Sequence, residues 1–453
     1  MKLPANKTAP SVQTAWGLSA LGKLLILIGM LNIVFILDHA IEGDGAVRWQ
    51  FLDHLLSEGK ALDVKYSMIG PLFSAPLWFI GKILGNKQEL LVSYSNALLF
   101  IAAVFLMRKH LIADVSERVA DIFALLLLSA SMFPHHAGRY YAELFSSLVF
   151  FIGLLRLSRS ADSTMGWCLL VLSTANTPAS IGGLFLVCCY YCIVEKRLRY
   201  FGAILAVVCF VLLENWIKSG HPFHSGYEGD HGFQTMLPYS GQPGFSYPFF
   251  FGIISILLSF GKGLVFFAPG LLLARKNFFN GSGALQRLMT TSYLYLLGLI
   301  VLYAKWWAWY GGIFWGPRFF LFASLPASLL LALAIGNNQA KLFRGVLIGT
   351  ILILSVWVGI NGMVFKEQGL DICTRNNYAL ELLCWYTPEF SALWHPFTTG
   401  QVWQGLGKLP SLYAVTVLIV LLIHLFRSVP PAVYGDIQAK VSRVASSLKK
   451  IRF

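Results

Sequence analysis

The sequence predicts an all-α, polytopic membrane protein, and three observations carry that prediction. Of 453 residues, 57% are hydrophobic and only 12% charged. The mean hydropathy of +0.66 lies outside the range of soluble chains. Apolar runs recur at about the 20 residues needed to cross a hydrocarbon core of about 30 Å. These runs are long and continuous, unlike the short alternating segments of a membrane β-barrel. The net charge of +14 sits largely in short loops between apolar runs, as orientation signals do. No basic patch interleaved with aromatics occupies a polar segment, which argues against a nucleic-acid partner.

Taken in order, the first run (21–38) follows Lys2 and Lys7, has Lys23 at its start, and lacks a small-residue cleavage site. It reads as a retained anchor with a cytoplasmic N-terminus. Residues 39–90 then form the first external loop. Its opening helix carries Trp49, Leu52 and Leu56 on one side, as an interfacial helix does. The stretch 68–84 is broken by Pro71, Pro76, Gly81 and Gly85 and is expected to stay at the interface. A crossing there would export the MRKH loop (107–110), against the charge rule.

Run 91–107 returns to Arg108, Lys109 and Arg118, 120–133 leads out, and 144–157 comes back to Arg156 and Arg159. A hairpin broken at TANTPAS (174–180) ends on Glu195, Lys196, Arg197 and Arg199. Run 201–217 exits, a span ending near 274 returns, and 288–304, 319–336, 343–363 and 411–426 alternate after it. The sum is about 12 crossings with both termini inside. Residues 1–340 are expected to form the catalytic membrane module, and 341–434 to add C-terminal helices with an external loop at 364–409. The tail 435–453 sets Ile437, Val441, Val444, Leu448 and Ile451 beside five basic residues, a pattern for a helix lying on an anionic cytoplasmic leaflet.

Cys168, Cys188, Cys189, Cys192 and Cys209 lie in apolar runs and read as small core residues. Cys373 and Cys384 share a hydrophilic loop and would pair in an oxidising compartment.

This topology gathers four polar clusters on the extracytoplasmic side: EGDGAVRW (42–49), DVKYS (63–67), PHHAGRYYAE (134–143) and WWAWYGGIFWGPRFF (306–320). Loops 218–248 and 364–409 join them. Asp44, between Gly43 and Gly45, suits a general base or the cap of the helix after it, and the two roles do not exclude each other. His135, His136 and Glu143 have the chemistry of divalent-cation ligands, although adjacent histidines usually diverge. Glu143 opens a span and should face the bundle, because a charge facing lipid is costly.

Arg318 follows Gly311, Gly312, Gly316 and Pro317 and an aromatic wall of Trp306, Trp307, Trp309, Tyr310 and Trp315. It is either a bidentate phosphate ligand or a snorkelling residue in an interfacial belt. Lys65 and Lys262 are further cations expected near the same depth. Carboxylates opposite cations beside lipid suit transfer of a group from a lipid phosphate to a polar acceptor.

The stretch GDGAVRWQFLDHLLSEGKALDVKYSMIGPLFSAPLW resembles the first external loop of the C-type-fold (GT-C) glycosyltransferases. That superfamily includes the protein O-mannosyltransferases and the lipid A aminoarabinose transferase. RYYAE (139–143) resembles its second acidic loop, and SFGKGLVFFAPGLLLA and WWAWYGGIFWGPRFFLFASLPASLLLA are similar to later segments of its bacterial branch. The likeness spans roughly residues 15–340.

The resemblance implies an inverting transfer of a sugar from a polyprenyl-phosphate donor, undecaprenyl in most bacteria, to an envelope glycan, lipid or protein on the extracytoplasmic face of the inner membrane. By position, Asp44 matches the catalytic acid and Glu143 the neighbourhood of the second acid. Lys65, Lys262 and Arg318 match the donor phosphate site. His135, His136, Arg139 and Tyr141 fall in the neighbourhood of the acceptor or of a metal (Mg, Mn or Zn), which the chemistry does not require. The chain departs in having Asp44-Gly45 where many relatives have Asp-Glu. Glu143 also lies about two residues from the aminoarabinose enzyme's aspartate. Rival readings are a transporter or flippase of a lipid-linked saccharide, a ligase or polymerase using lipid-diphosphate donors, and a non-catalytic scaffold.

Overall fold

The computed structural model describes residues 18–229, 231, 234–275, 283–336 and 342–427. The expected amphipathic tail at 435–453 lies outside the described residues, as do Lys2 and Lys7. Among the described residues the protein is helical throughout, and the sole β feature is an isolated bridge between Ala40 and Arg139.

Among the described residues seven helices are long and apolar enough to cross a membrane: Gln88–Leu111, Pro178–Glu195, Leu198–Ser219, Ala284–Tyr303, Arg318–Gly336, Leu342–Phe365 and Leu409–Phe426. Other expected spans form shorter helices. Glu117–Ser129 and Thr164–Asn176 have 13 residues each and Ala142–Leu157 has 16. At about 1.5 Å per residue, 13 residues rise about 20 Å, less than a hydrocarbon core. Glu117–Ser129 is buried on nearly every side. A helix sheathed by neighbours has its length set by packing more than by lipid thickness.

The expected span ending near 274 is interrupted. Phe249–Leu258 stops at Ser259, and two short helical pieces, Leu264–Phe267 and Pro269–Leu273, follow. Glycine permits the break: a Cβ on Gly261 would overlap the Cys384 carbonyl, and one on Gly263 the Ser259 carbonyl. Lys262 sits in this gap.

In the first polar loop, Asp44–Glu58 packs Leu52, with Trp49 and Leu56 at its margins, against Trp78, Val92 and Tyr140. Trp78 donates its indole N–H to Asp53 at 2.7 Å, fastening this helix to Ala75–Ile83. The latter, nine residues long, rises about 13 Å and is too short to span. One continuous core, from Leu25 to Leu425, crosses position 340, so the C-terminal helices share the interior of the rest.

Ion pairs tie the basic loops at 108–118 and 156–159 to their neighbours, apart from the contacts of Asp44 and Arg318. Lys23 meets Glu117 at 3.1 Å, Arg108 meets Glu117 and Asp121 at 2.8 and 2.6 Å, and Arg159 meets Asp114 at 2.6 Å.

Candidate active site

Asp44 begins its helix on a backbone that only glycine allows. Gly43 has φ +53°, and a Cβ there would press on the Phe314 ring. A Cβ on Gly45 would come within 2.7 Å of the Tyr140 carbonyl oxygen, so no second acid fits after Asp44. The preceding strand-like segment is held by Ala40, whose N–H donates to the Gly138 carbonyl at 3.0 Å. Asn96 donates its side-chain amide to the Arg139 and Tyr141 carbonyls. Asp44 is thereby fixed in relation to the segment 138–143.

Arg318, 274 residues away, donates from Nη2 to the Asp44 carboxylate at 2.6 Å. Its Nε donates to the Gly311 carbonyl at 2.6 Å and lies 3.9 Å from Glu143. The guanidinium packs over Phe314 at 4.3 Å, with Phe319 and Tyr141 at 5.2 and 5.6 Å. Gly311, Gly312 and Gly316 all have positive φ, and a Cβ on Gly311 would stand 3.1 Å from the Arg318 side chain. The arginine is 6% exposed. A snorkelling head would reach solvent, so the paired and buried arginine is not of that kind.

Lys262 is 1% exposed, and Nζ donates to the carbonyls of Gly312, Phe314 and Gly316 at 3.1, 2.6 and 2.9 Å. An ammonium has three donors, and here each meets backbone. Lys262 therefore shapes the loop that presents Arg318. Lys65 lies beyond Tyr66, with Nζ 5.7 Å from that ring and 5.3 Å from Tyr227.

Tyr66, Glu214 and Tyr227 carry no assigned role in the sequence, and Arg48 stands out there only as the arginine one helical turn after Asp44. Tyr66 hydrogen-bonds the Asp44 carboxylate. Arg48, one helical turn after Asp44, packs over Tyr66 at 4.6 Å and donates to the Ser67 carbonyl at 3.2 Å. Glu214 accepts from the Met68 N–H at 2.6 Å and the Ser67 hydroxyl at 3.0 Å, and Lys218 pairs with it at 3.4 Å. That carboxylate anchors the turn bearing Tyr66. An acid within an otherwise apolar run is a signal the sequence did carry.

Two cations, Arg318 and Arg48, thus act on Asp44, and Arg318 also adjoins Glu143, while Lys65 lies one ring further out. Burial alone would raise the Asp44 carboxyl. The Arg318 charge, hydrogen bonds from Tyr66 and Arg318, and the Arg48 charge outweigh it and hold the group below the usual carboxylate range.

The histidines are placed differently. Their rings are at 88° with centroids 5.1 Å apart. His135 bonds the Gly362 carbonyl through Nδ1 at 3.0 Å and stands 3.4 Å from Glu367, and burial lowers its pKa to about 3. His136 is fully buried, and neither ring nitrogen has a partner. Arg139 pairs with Glu42 at 3.0 Å and Asp38 at 3.5 Å. Among the described residues no group of three or more His, Cys, Asp or Glu is placed to hold a metal, so no step is assigned to one. Cys373 and Cys384 form a disulfide, with Cα atoms 6.1 Å apart, in the 364–409 loop. That loop docks where Gly261 donates to the Trp385 carbonyl at 3.0 Å.

No family model and no curated protein matches the chain. Among solved structures it is similar to ArnT from Cupriavidus metallidurans. The crystal structure in the apo state aligns with TM-score 0.52, at 11% identity, over 90% of this chain and 77% of ArnT. The structure bound to undecaprenyl phosphate aligns with TM-score 0.51, at 11% identity, over 90% and 76%. The chain thus shares the overall helical fold of these ArnT structures, with seven helices among the described residues long and apolar enough to cross a membrane. At this identity the likeness extends to the fold alone.

Proposed function

We propose that the protein is a membrane glycosyltransferase that moves a sugar from a polyprenyl-phosphate donor, undecaprenyl phosphate being the carrier, to an envelope glycan, lipid or protein. The observation that carries this reading is the Asp44–Arg318 contact at 2.6 Å, with Arg48 as a second cation acting on Asp44. The undecaprenyl phosphate bound by an ArnT structure of the same fold supports it. The site faces the extracytoplasmic side of the inner membrane, by the distribution of basic loops.

In the reaction the acceptor oxygen or nitrogen attacks the anomeric carbon from the face opposite the phosphate. The new glycosidic bond forms as the bond from that carbon to the phosphate oxygen breaks, and polyprenyl phosphate departs with the electron pair. In-line displacement needs the sugar between base and phosphate ligand, so donor binding has to part Asp44 from Arg318. Tyr66 then keeps the carboxylate in place, and the Gly311 carbonyl keeps the guanidinium in place.

Arg318, with Arg48 and Lys65, stabilises the leaving phosphate. Glu143 adjoins Arg318 and helps orient the acceptor. An Asp44 held ionised is a weak base towards an alcohol. It orients the hydroxyl first and takes the proton late, when bond formation has made the oxygen acidic. Lys262 acts by positioning, through the 312–316 backbone.

Asp44→Asn tests this. Transfer from a purified polyprenyl-phosphate sugar should fall about 10²–10⁴-fold, with expression and donor binding retained. A fully active variant would refute the assignment. A transporter would instead move the lipid without forming a glycosidic bond.

A further inference from the structure

Beside the catalytic loop lies a small enclosed space that the mechanism does not use. Its walls come from three separate segments: 235–247, the aromatic run 307–310, and the disulfide-tied helix Glu381–Tyr386. The volume is about 30 Å³. That is room for about two waters, or for one hydroxyl or hydroxymethyl arm of a larger molecule.

Three features set it apart from ordinary packing. Glu381 is 2% exposed and accepts a 3.3 Å hydrogen bond from Tyr310. Trp307 and Trp385 both line the space, and neither buried indole N–H has a hydrogen-bond partner. Trp385 is itself only 2% exposed. Unpaired buried donors are uncommon and call for a partner. Tyr386, at the rim and 36% exposed, has its hydroxyl held by Ser255 at 2.7 Å and Tyr247 at 3.1 Å. Its ring is therefore presented in a fixed orientation.

An aromatic rim over a floor of indole donors and a carboxyl suits a molecule with an apolar face and many hydroxyls. The C–H face of a pyranose lies on an aromatic ring while its hydroxyls reach acceptors and donors below. A lipid tail would offer the indole N–H groups no acceptor, and a phosphate would face the Glu381 carboxyl. Tyr310 of this wall precedes Gly311, whose carbonyl holds the catalytic arginine. Trp306, on the other side of the run, stands 6.1 Å from Tyr227, which stacks near Lys65.

We infer that the cleft between residues 235–247, Trp307–Tyr310 and Glu381–Tyr386 is a saccharide-binding subsite that takes one hydroxyl or hydroxymethyl arm of a non-reacting sugar ring of the acceptor, the ring itself lying at the rim. Glu381 accepts from the hydroxyl of that arm, whose oxygen accepts in turn from the indole N–H of Trp307 or Trp385. Tyr386 supports the ring face. This inference rests on the transfer reading for the word acceptor, but the site itself does not. A saccharide acceptor is thereby favoured over an unglycosylated protein.

Saccharide binding is measured apart from transfer, with purified full-length protein in detergent. The probes are lactose, maltose, cellobiose and N,N′-diacetylchitobiose, followed by tryptophan fluorescence and saturation-transfer NMR. At least one disaccharide should saturate with a dissociation constant of about 1 mM. Glu381→Gln and, separately, Trp307→Phe should weaken it at least fivefold in protein that still melts in a single cooperative transition. Asp44→Asn should leave it unchanged. Saturation lost in both cleft variants and kept in Asp44→Asn supports the subsite whether or not transfer is found. No saturation by any of the four sugars, or equal binding by both cleft variants and wild type, overturns it and leaves the transfer reading standing. Should either variant misfold, the other decides. Binding of an unglycosylated serine-rich peptide in place of the sugars overturns the saccharide assignment as well.

Discussion

Arg318 joins three things that its residue type alone does not promise: a carboxylate on Asp44, a carbonyl on Gly311, and three aromatic faces. A lysine keeps the charge but cannot serve both the Nε and Nη2 contacts from one planar group. Arg318→Lys should therefore lower kcat/KM by about 10²-fold or more, chiefly through weaker use of the donor, in a donor-titrated transfer assay. Wild-type kinetics in that variant would remove Arg318 from the phosphate site. At this scale much was legible. The glycines around Asp44 and before Arg318 announced close backbone approaches, and the structure supplies the neighbours, Tyr140, Phe314 and the Arg318 side chain. Tyr66 was not legible, because a tyrosine in a short polar stretch carries no sign that its hydroxyl points at a carboxylate. Nor does a sequence show that a lysine's three protons end on three carbonyls, as those of Lys262 do.

Among the elements, the break between Phe249–Leu258 and Leu264–Phe267 is the least anticipated and matters most to the site. Hydropathy reads straight through it, since Gly261 and Gly263 are neutral on such a scale. Their conformational meaning depends on Cys384 and Ser259 lying alongside. The break lets Lys262 reach the 312–316 carbonyls, and the ring of Trp385 covers its Nζ at 4.6 Å. Lys262→Met keeps the bulk and removes the donors, leaving three carbonyls short of a partner. A loss of about 2–4 kcal/mol in stability is expected, with a larger fall in kcat than in donor affinity. Thermal melts and donor titration measure the two separately. Unchanged melting with lost donor binding would instead place the lysine on the phosphate, as the sequence resemblance had it. The two short helices of the first loop, by contrast, were readable from Pro71, Pro76 and the Trp49–Leu52–Leu56 stripe, because amphipathicity and helix breakers are local properties.

For the molecule as a whole, the polar clusters that charge patterning assigned to one side do meet, although they are scattered from residue 42 to residue 320. The count of spans was less legible than their grouping, because a buried helix such as Glu117–Ser129 is apolar for reasons unrelated to lipid. Stability against pH is another whole-molecule property. Burial pushes the Glu381 carboxyl up to about 7, against a smaller opposing pull from Tyr310 and Lys262. A carboxyl raised in the fold binds its proton more tightly there than in the unfolded chain. Its contribution to stability is thus lost as pH rises from about 4.5 through about 7. His135, lowered to about 3 by burial, works in the opposite sense, with stability lost as pH falls below its ordinary value. The two overlap in the wild type, so the difference between wild type and Glu381→Gln isolates the acid. The variant should gain relative stability across that window, by up to about 3 kcal/mol above pH 7. Parallel melting curves from pH 4 to pH 8 would contradict a buried, proton-holding Glu381.

The central claim is that Arg318, drawn away from Asp44, holds the phosphate of a polyprenyl donor. The most direct measurement is a cryo-EM map of the protein in lipid nanodiscs with undecaprenyl phosphate. The expected result is phosphate density within hydrogen-bond distance of the Arg318 guanidinium, with Asp44 parted from it and still bonded to Tyr66. Phosphate density bound elsewhere, with the Asp44–Arg318 pair intact at 2.6 Å, would contradict it.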